Sequence, residues 1–307
     1  MASSETAPQP GLLTQFRQSL AGTDTEAVLR AGLIGIDATV DGPFGPKKMV
    51  YADYVASGRA LMQIEQFILE KVLPYYANSH TEASYCGGFI TRLRREARQV
   101  VAQSCGAGGQ HGVIFTGAGA TAGLNRLTAL LGIVDAVAAG EKPCVIIGPY
   151  EHHSNVLPWR ESGAEVIEIA EGPDGGPDLE MLRSVLAQTA GRKLVVGAFS
   201  AASNITGIVT DVVAVTRLLN DASAKVVWDY AGGGPYLPIA MTPAPGVEID
   251  AIVVSPHKFL GGPGSSGILI LRHDAAVTRK PTWPGGGTVR FVSPAGHDYS
   301  ESLEARE

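Results

Sequence analysis

Cysteine is scarce in this chain. Cys86, Cys105 and Cys144 are its whole complement, an odd number with no CxxC pair, which argues against a disulfide scaffold and fits a reducing compartment. There is no excess of positive charge either: 24 Lys and Arg face 30 Asp and Glu, for a formal net charge of -6. A nucleic acid or an anionic membrane surface would attract the opposite balance, so neither is expected as a partner. Like charges form no long block that would read as a solvated tail. No uncharged run reaches the ~18 residues of a membrane span, and residues 1–10 are polar, without an apolar signal core. These absences predict a soluble cytoplasmic protein. Internal repeats and low-complexity tracts are also missing.

Glycine, by contrast, is abundant. The 38 glycines in 307 residues exceed the usual share of about 7% and cluster in short loops between apolar runs, with no collagen-like period. The length surpasses the roughly 100–200 residues of an average domain, which suggests one large α/β domain, or a large one and a fragment.

Residues 1–47 read as a leader with one helix over 24–33 and a turn-rich patch, Asp41-Gly-Pro-Phe-Gly-Pro. A second helix is expected over 59–73, stopping at Pro74, and a third from Thr91, where Leu93, Ala97, Val100 and Val101 recur at helical spacing. From Gly112 onward the pattern changes to short apolar runs alternating with helical ones. Strands are predicted at 112–115, 144–147, 165–169, 194–198, 225–228, 251–254 and 267–271, and helices at 121–131, 155–162, 179–188 and 212–222. Val- and Ile-rich strands without polar alternation are buried on both faces, the mark of a mostly parallel sheet with covering helices. The fold class read here is therefore α/β and doubly wound. Residues 301–307 carry no helix stop signal and no closing apolar run, so the chain reads as cut off.

In open α/β sheets ligands bind beyond the carboxyl ends of the strands. Five strand ends in a row deliver polar or ionisable residues: Thr116-Gly-Ala-Gly-Ala-Thr121, Tyr150-Glu151-His152-His153-Ser154-Asn155, Ser200-Ala-Ala-Ser203-Asn204, Asp229, and Ser255-Pro-His257-Lys258. The run from Gly117 through Gly119 to Ala122 matches a loose dinucleotide fingerprint. It reads either as a phosphate cradle at a helix N-terminus, with Thr121 adding a hydroxyl, or as a tight strand-to-helix turn. A nicotinamide reading would want an acid ending a second strand roughly twenty residues on; Asp135 lies there, but within a helical pattern. Lys258 follows a buried strand and precedes Gly261-Gly-Pro-Gly264. It is either a solvated loop lysine or an amine whose proton is loosened by desolvation and neighbouring cations for Schiff-base chemistry. Asp229 either caps the next turn or pairs, partly buried, with a cation such as a protonated pyridinium nitrogen. His152 offers a flat ring for stacking. As metal ligands His152 and His153 lack further ligands at suitable spacing, so no metal is expected.

As an ordered set, Asp229 followed by Ser255-Pro-His257-Lys258 and its glycine-rich loop resembles the aminotransferase class V family. These are fold-type-I pyridoxal 5'-phosphate enzymes that include cysteine desulfurases and selenocysteine lyases. The resemblance begins at Tyr51-Ala-Asp53-Tyr54 and runs to Arg306, about five-sixths of the chain. It implies the seven-stranded large domain of such enzymes over 48–272, an N-terminal helical segment over 1–47, and the linker and beginning of an incomplete small C-terminal domain over 273–307. It also implies that Lys258 carries the cofactor as an internal aldimine, that Asp229 meets the pyridine nitrogen and that His152 stacks on the ring. Gly119, Ala120 and Thr121, with Ser255 and His257, would hold the phosphate, and Asn204 would face the phenolic side. Thr288, in the Gly285-Gly-Gly-Thr288 loop, would reach the neighbouring subunit's cofactor, which implies a homodimer with shared active sites. The implied reaction is transformation of a small amino acid by transamination or by Cβ–S or Cβ–Se cleavage. A chain that binds the cofactor without turnover is the alternative. One position departs from the family pattern: three residues after the aspartate, where desulfurases place Gln and related lyases His, this chain has Gly232. Neither Cys86, Cys105 nor Cys144 occupies the place of the desulfurases' persulfide cysteine; Cys86 is expected in a loop.

Overall fold

Two units make up the chain in the structure, a computed structural model that describes residues 10–22, 24–79 and 82–307. The polar stretch 1–9 lies outside the described residues. The first unit comprises the chain up to Ala52 together with Arg59–Val101, and the second comprises Asp53–Gly58 and Ala102–Glu307.

In the first unit, helix α1 (Leu12–Leu20) was not foreseen, whereas α2 (Thr25–Ala31) falls inside the expected segment, its first turn capped by the Asp24 carboxylate accepting from Ala27 N–H. The Gly/Pro patch folds as a hairpin of β1 (Thr39–Gly42) and β2 (Gly45–Lys48), with Gly45 at φ +87 supplying the left-handed turn. The helix expected to run to Pro74 is shorter. After α3 (Met62–Phe67) the chain widens into a π turn, Ile68–Val72, and then tightens into a 3-10 turn, Leu73–Tyr75, that includes Pro74. Regular helix thus stops well before Pro74, and the 3-10 turn accommodates the proline because near the start of a turn it lacks only an N–H that is already unpaired there. Helix α4 (Tyr85–Ser104) begins six residues before the predicted start. Cys86 lies in it, half-buried, not in a loop. Phe16 packs against Phe67 at a tilt, with ring centroids 4.5 Å apart, and Thr14 donates its N–H to Glu96 at 2.9 Å.

The second unit holds a seven-stranded sheet of β3 (His111–Gly117), β4 (Cys144–Ile147), β5 (Glu165–Glu168), β6 (Val195–Ser200), β7 (Lys225–Asp229), β8 (Ala251–Val254) and β9 (Gly267–Arg272), in the order β3-β9-β8-β7-β6-β4-β5. All pairings are parallel except those of β9, which is antiparallel to both neighbours, so the other six strands point the same way. Helices cover both faces. On one, α5 (Gly119–Leu130) buries Leu124, Leu127 and Leu130 against Val227, Val253 and Leu269. On the other, α9 (Val212–Asp221) meets the alternate residues: a Cβ at Gly197 would lie 2.5 Å from Leu219, and Trp228 Nε1 donates to Thr216 Oγ1 at 2.9 Å. Between them come α6 (Ile133–Ala138), α7 (Leu157–Glu161) and α8 (Leu179–Gln188). The predicted helix over 155–162 is instead a 3-10 turn, His153–Asn155, followed by α7 with Pro158 in its first turn. Edge strand β5 departs from the continuous apolar pattern: Glu165 and Glu168 are exposed, charges that keep an unpaired edge from recruiting another strand.

Three elements near the end of the chain were not foreseen. Strands β10 (Val289–Ser293) and β11 (Gly296–Tyr299) form a hairpin, and α10 (Leu303–Arg306) follows. The sequence signals for α10 are short: Ser302 caps it by accepting from Ala305 N–H, and Leu303 is its one apolar anchor, buried in the core. Among the described residues no helix is long and apolar enough to cross a membrane.

Each fully buried Trp or Phe, such as Trp228, Trp159 and Phe199, contributes roughly 1.5–3 kcal/mol by leaving water. Trp228→Phe should cost about 1–3 kcal/mol in denaturant unfolding, because it strands the buried Thr216 hydroxyl without its donor. Adding Thr216→Val should recover part of the loss; an additive double mutant would disprove the role given to that hydrogen bond.

Candidate active site

Because six strands share a direction, their carboxyl ends lie along one edge of the sheet, and the ends of β3, β8, β7, β6 and β4 surround a cavity of about 470 Å³. Its size is that of a pocket for a small ligand.

At the β3 end, Gly117 (φ +89) and Gly119 (φ +60) turn the chain into α5. Gly119 packs beneath the cavity without lining it: a side chain there would lie 2.9 Å from the His257 ring and 3.1 Å from Ser255 Oγ. The first residue of β9 is also glycine of necessity, since a Cβ on Gly267 would come within 2.2 Å of the Gly119 carbonyl. Ala120 N–H donates to Ser255 Oγ at 2.9 Å, and the Thr121 hydroxyl bonds Ser154 Oγ at 2.8 Å. Four polar groups are thus gathered where a helix begins, which favours an anion.

Beyond β8, Pro256–Lys258 forms a 3-10 turn, held by Lys258 N–H donating to the Ser255 carbonyl at 3.0 Å and by Gly58 N–H donating to the His257 carbonyl at 2.9 Å. Lys258, half-buried, and His257 both line the cavity. Asp229, the last residue of β7, is 4% exposed and also lines it. Ala231 N–H donates to Asp229 Oδ1 at 2.7 Å, and among the described residues Oδ2 has no hydrogen bond and no ion pair reaches this carboxylate. Burial pushes the acid up to about 6, against the pull of the Ala231 hydrogen bond and of Lys258.

The β6 end contributes Ser200, Ala202 and Asn204, and the β4 end His152 and Ser154. His152 Nδ1 accepts from Ser154 N–H at 3.1 Å, so its ring proton belongs on Nε2. Desolvation, then Lys258 and His153, hold this imidazole below its ordinary value, and desolvation and Lys258 do the same to His257. Both rings are therefore neutral near pH 7.

The structure thus brings together Ala120, Thr121, His152, Asn204, Asp229, Ser255, His257 and Lys258, with Gly119 beneath them. Thr288 lies elsewhere, on the turn before β10, where its hydroxyl donates to the Gly285 carbonyl at 2.8 Å. The sequence reading gave no role to Asp53, Val55 and Ala56, which close one wall, or to Ser154, Ser200 and Glu151. For Glu151 the signal was available: an acid four residues after an apolar strand in which every residue is buried. Gly232 lines the cavity, and the nearest atoms to a Cβ there would be the Ala202 carbonyl and Asn204 Cβ, each at 3.6 Å, ordinary contact distances. Sterics therefore do not demand glycine at this position. Among the described residues no three His, Cys, Asp or Glu side chains are grouped to hold a metal ion.

The family model for aminotransferase class-V matches residues 50–307. Among curated relatives, a probable cysteine desulfurase of Streptomyces coelicolor is 28% identical over 282 residues, 90% of this chain and 64% of the relative. A cysteine desulfurase of Klebsiella pneumoniae is 30% identical over 245 residues, 78% of this chain and 57% of the relative. The chain thus spans less than two thirds of the length of these relatives. In fold it is similar to the apo structure of a cysteine desulfurase from Thermococcus onnurineus NA1, with a TM-score of 0.73 at 23% identity over 92% of this chain and 66% of that one. It is also similar to a NifS-like protein from Rickettsia africae, with a TM-score of 0.66 at 23% identity over 78% and 62%.

The lysine turn depends on a close backbone approach: a Cβ at Gly262 would lie 1.9 Å from the Pro256 carbonyl. Gly262→Ala should therefore displace the turn bearing His257 and Lys258 and cost about 1–3 kcal/mol in unfolding. Gly286→Ala, where a Cβ meets nothing within 4 Å, should stay within about 0.5 kcal/mol of wild type.

Proposed function

The chain belongs to the aminotransferase class-V family, and from that premise we propose that it binds pyridoxal 5'-phosphate in this cleft and uses it to transform a small amino acid. The observation that carries the reading is the shared cleft of Lys258 and Asp229, brought from the ends of adjacent strands β8 and β7. An aldehyde cofactor with a cationic ring nitrogen needs an amine and a buried acid in one pocket.

The residues present fit the group. The Asp229 carboxylate is buried and keeps one oxygen without a hydrogen bond among the described residues, so it suits a protonated pyridine nitrogen. Ala120 and Thr121 at the start of α5, with Ser255 and His257, suit a phosphate. The exposed, neutral His152 ring suits stacking, and Asn204 suits a polar ring substituent. Lys258 would hold the cofactor covalently through Nζ. When bound, the cofactor supplies an electron sink for a bond broken at the substrate α-carbon. Once the substrate's amine has taken its place, the freed Lys258 Nζ would serve as the base and acid that moves the α-proton, while Asp229 would hold the ring nitrogen's proton in place.

On this reading residues 48–272 form the cofactor domain, 1–47 precede it, and 273–307 lead into a smaller domain. Thr288 and its glycine-rich loop would serve the partner site of a cytoplasmic homodimer. The relatives' names favour removal of sulfur from cysteine, with selenium removal and transamination as neighbouring chemistries. Gly232 leaves open the wall where a polar side chain would otherwise stand. A second reading is cofactor binding without turnover, which the bare cavity wall at Gly232 favours.

Borohydride treatment of the chain with pyridoxal phosphate should leave a covalent adduct that peptide mapping assigns to Lys258, absent in Lys258→Ala. Asp229→Ala should weaken cofactor binding about tenfold or more, the value of a charge-assisted hydrogen bond. An adduct that persists in Lys258→Ala rejects the assignment. Amino acids that perturb the bound cofactor's absorbance but give no product would select the second reading.

A further inference from the structure

Glu151 stands at the β4 end, one residue before His152, and none of the chemistry above uses it. Ser200 donates to its carboxylate twice, from N–H to Oε1 at 2.8 Å and from the hydroxyl to Oε2 at 2.7 Å, and Asn155 Nδ2 donates to Oε2. Asn155 is itself fully buried, accepting from Trp159 Nε1 at 3.0 Å and donating to the Ala198 carbonyl at 3.3 Å. The acid therefore ties the end of β4 to the end of β6. Ser200 is also the register partner of Asp229 across the β6–β7 pair, so Glu151 and Asp229 both bear on that residue.

Among the described residues no ion pair reaches Glu151, and the charged group acting on it is Asp229. Lys258, from the turn after β8, acts on Asp229 and on His152. Of the two acids only Asp229 is under the influence of the lysine, and the histidines nearby, His152 and His153, are not bonded to either carboxylate. The three donors on Glu151 favour its ionised form; burial, the largest influence, and Asp229 oppose it, and the acid is pushed up to about 7.

We propose that Glu151 is a positioning residue that works through Asp229: bonded to Ser200, the register partner of Asp229, it locks the two strand ends that flank the cleft and sets a second, like-charged acid one strand away from Asp229. The functional meaning rests on the reading of Asp229 as the acid facing the cofactor. The coupling itself is a property of the cofactor-free chain, which lets the two ideas fail separately.

Folding raises both acids' affinity for a proton, so the fold takes up protons. Their contribution to stability is complete below the unfolded values, 4.5 for Glu151 and 3.8 for Asp229, and is lost as the pH rises through about 7 and about 6. The melting temperature of the cofactor-free full chain should fall across that window, and Glu151→Gln, neutral at every pH, should remove about half of the fall or more. Asp229→Asn should remove less of the pH dependence in the Glu151→Gln background than in wild type, because the charge opposing its ionisation is gone. A Glu151→Gln profile parallel to wild type, or strictly additive substitutions, overturns the proposal. Should Glu151→Gln fail to fold, Ser200→Ala deletes one donor to the ionised acid and should shift the fall to higher pH; an unshifted profile also overturns it. A wild-type chain that shows the coupled profile but yields no Lys258 adduct with pyridoxal phosphate overturns the cofactor reading and leaves the acid pair standing.

Discussion

A carboxylate at the end of an apolar strand is expensive to bury, and Asp229 is buried nearly completely. Removing an ionised acid from water costs several kcal/mol unless hydrogen bonds and a cation replace the solvent. Inside the chain Asp229 finds a single backbone donor and the influence of Lys258. That shortfall is the feature around which the rest of the site is organised. A cationic ring nitrogen would make it good, and the elements around Asp229 fit a ligand with such a nitrogen at one end and a phosphate at the other.

Parallel strand direction is what lets five separate segments line one cleft. Because β9 alone runs backward, Ser255 to Lys258, Asp229, Ser200 to Asn204, His152 and the start of α5 all emerge on one edge. Small residues then allow the segments to close. Gly267 lets the turn after β3 lie against the start of β9, and Gly123 lets α5 approach Val253, where a Cβ would lie 2.9 Å from the valine side chain. Both contacts bring the positive end of α5 toward the Ser255 hydroxyl, which accepts from Ala120 N–H. Sheet packing and the placement of the start of α5 depend here on the same glycines.

Much of the framework was legible in the residues. Strands 144–147 and 251–254 have the boundaries expected of them because their unbroken apolar runs fit a sheet covered on both faces, and helix 179–188 does because Asp178 caps it and Leu182, Val185 and Leu186 recur at helical spacing. Other elements were obscured by weak local signals. The hairpin of β10 and β11 is exposed along most of its length, so burial left no mark on its sequence. Helix α10 depends on one buried leucine and a serine cap, a pattern too short to carry a period. The π turn after Phe67 and the early start of α4 reflect side-chain packing within the first unit, such as Tyr75 against Tyr85 and Phe89, which overrides the proline as a stop.

For the site, the chain order alone determined which residue types follow each strand, and hence that Lys258, Asp229, His152 and the turn into α5 share an edge. It determined this because direction and alternation are local properties of a parallel sheet. Only the tertiary structure decided that Gly119 lies beneath the cavity, that Thr288 lies outside its walls, and that Ser200 separates two acids. Those outcomes depend on which strands become neighbours and on how closely the loops between them approach. Burial and charge coupling follow from these distances, and no stretch of sequence contains them.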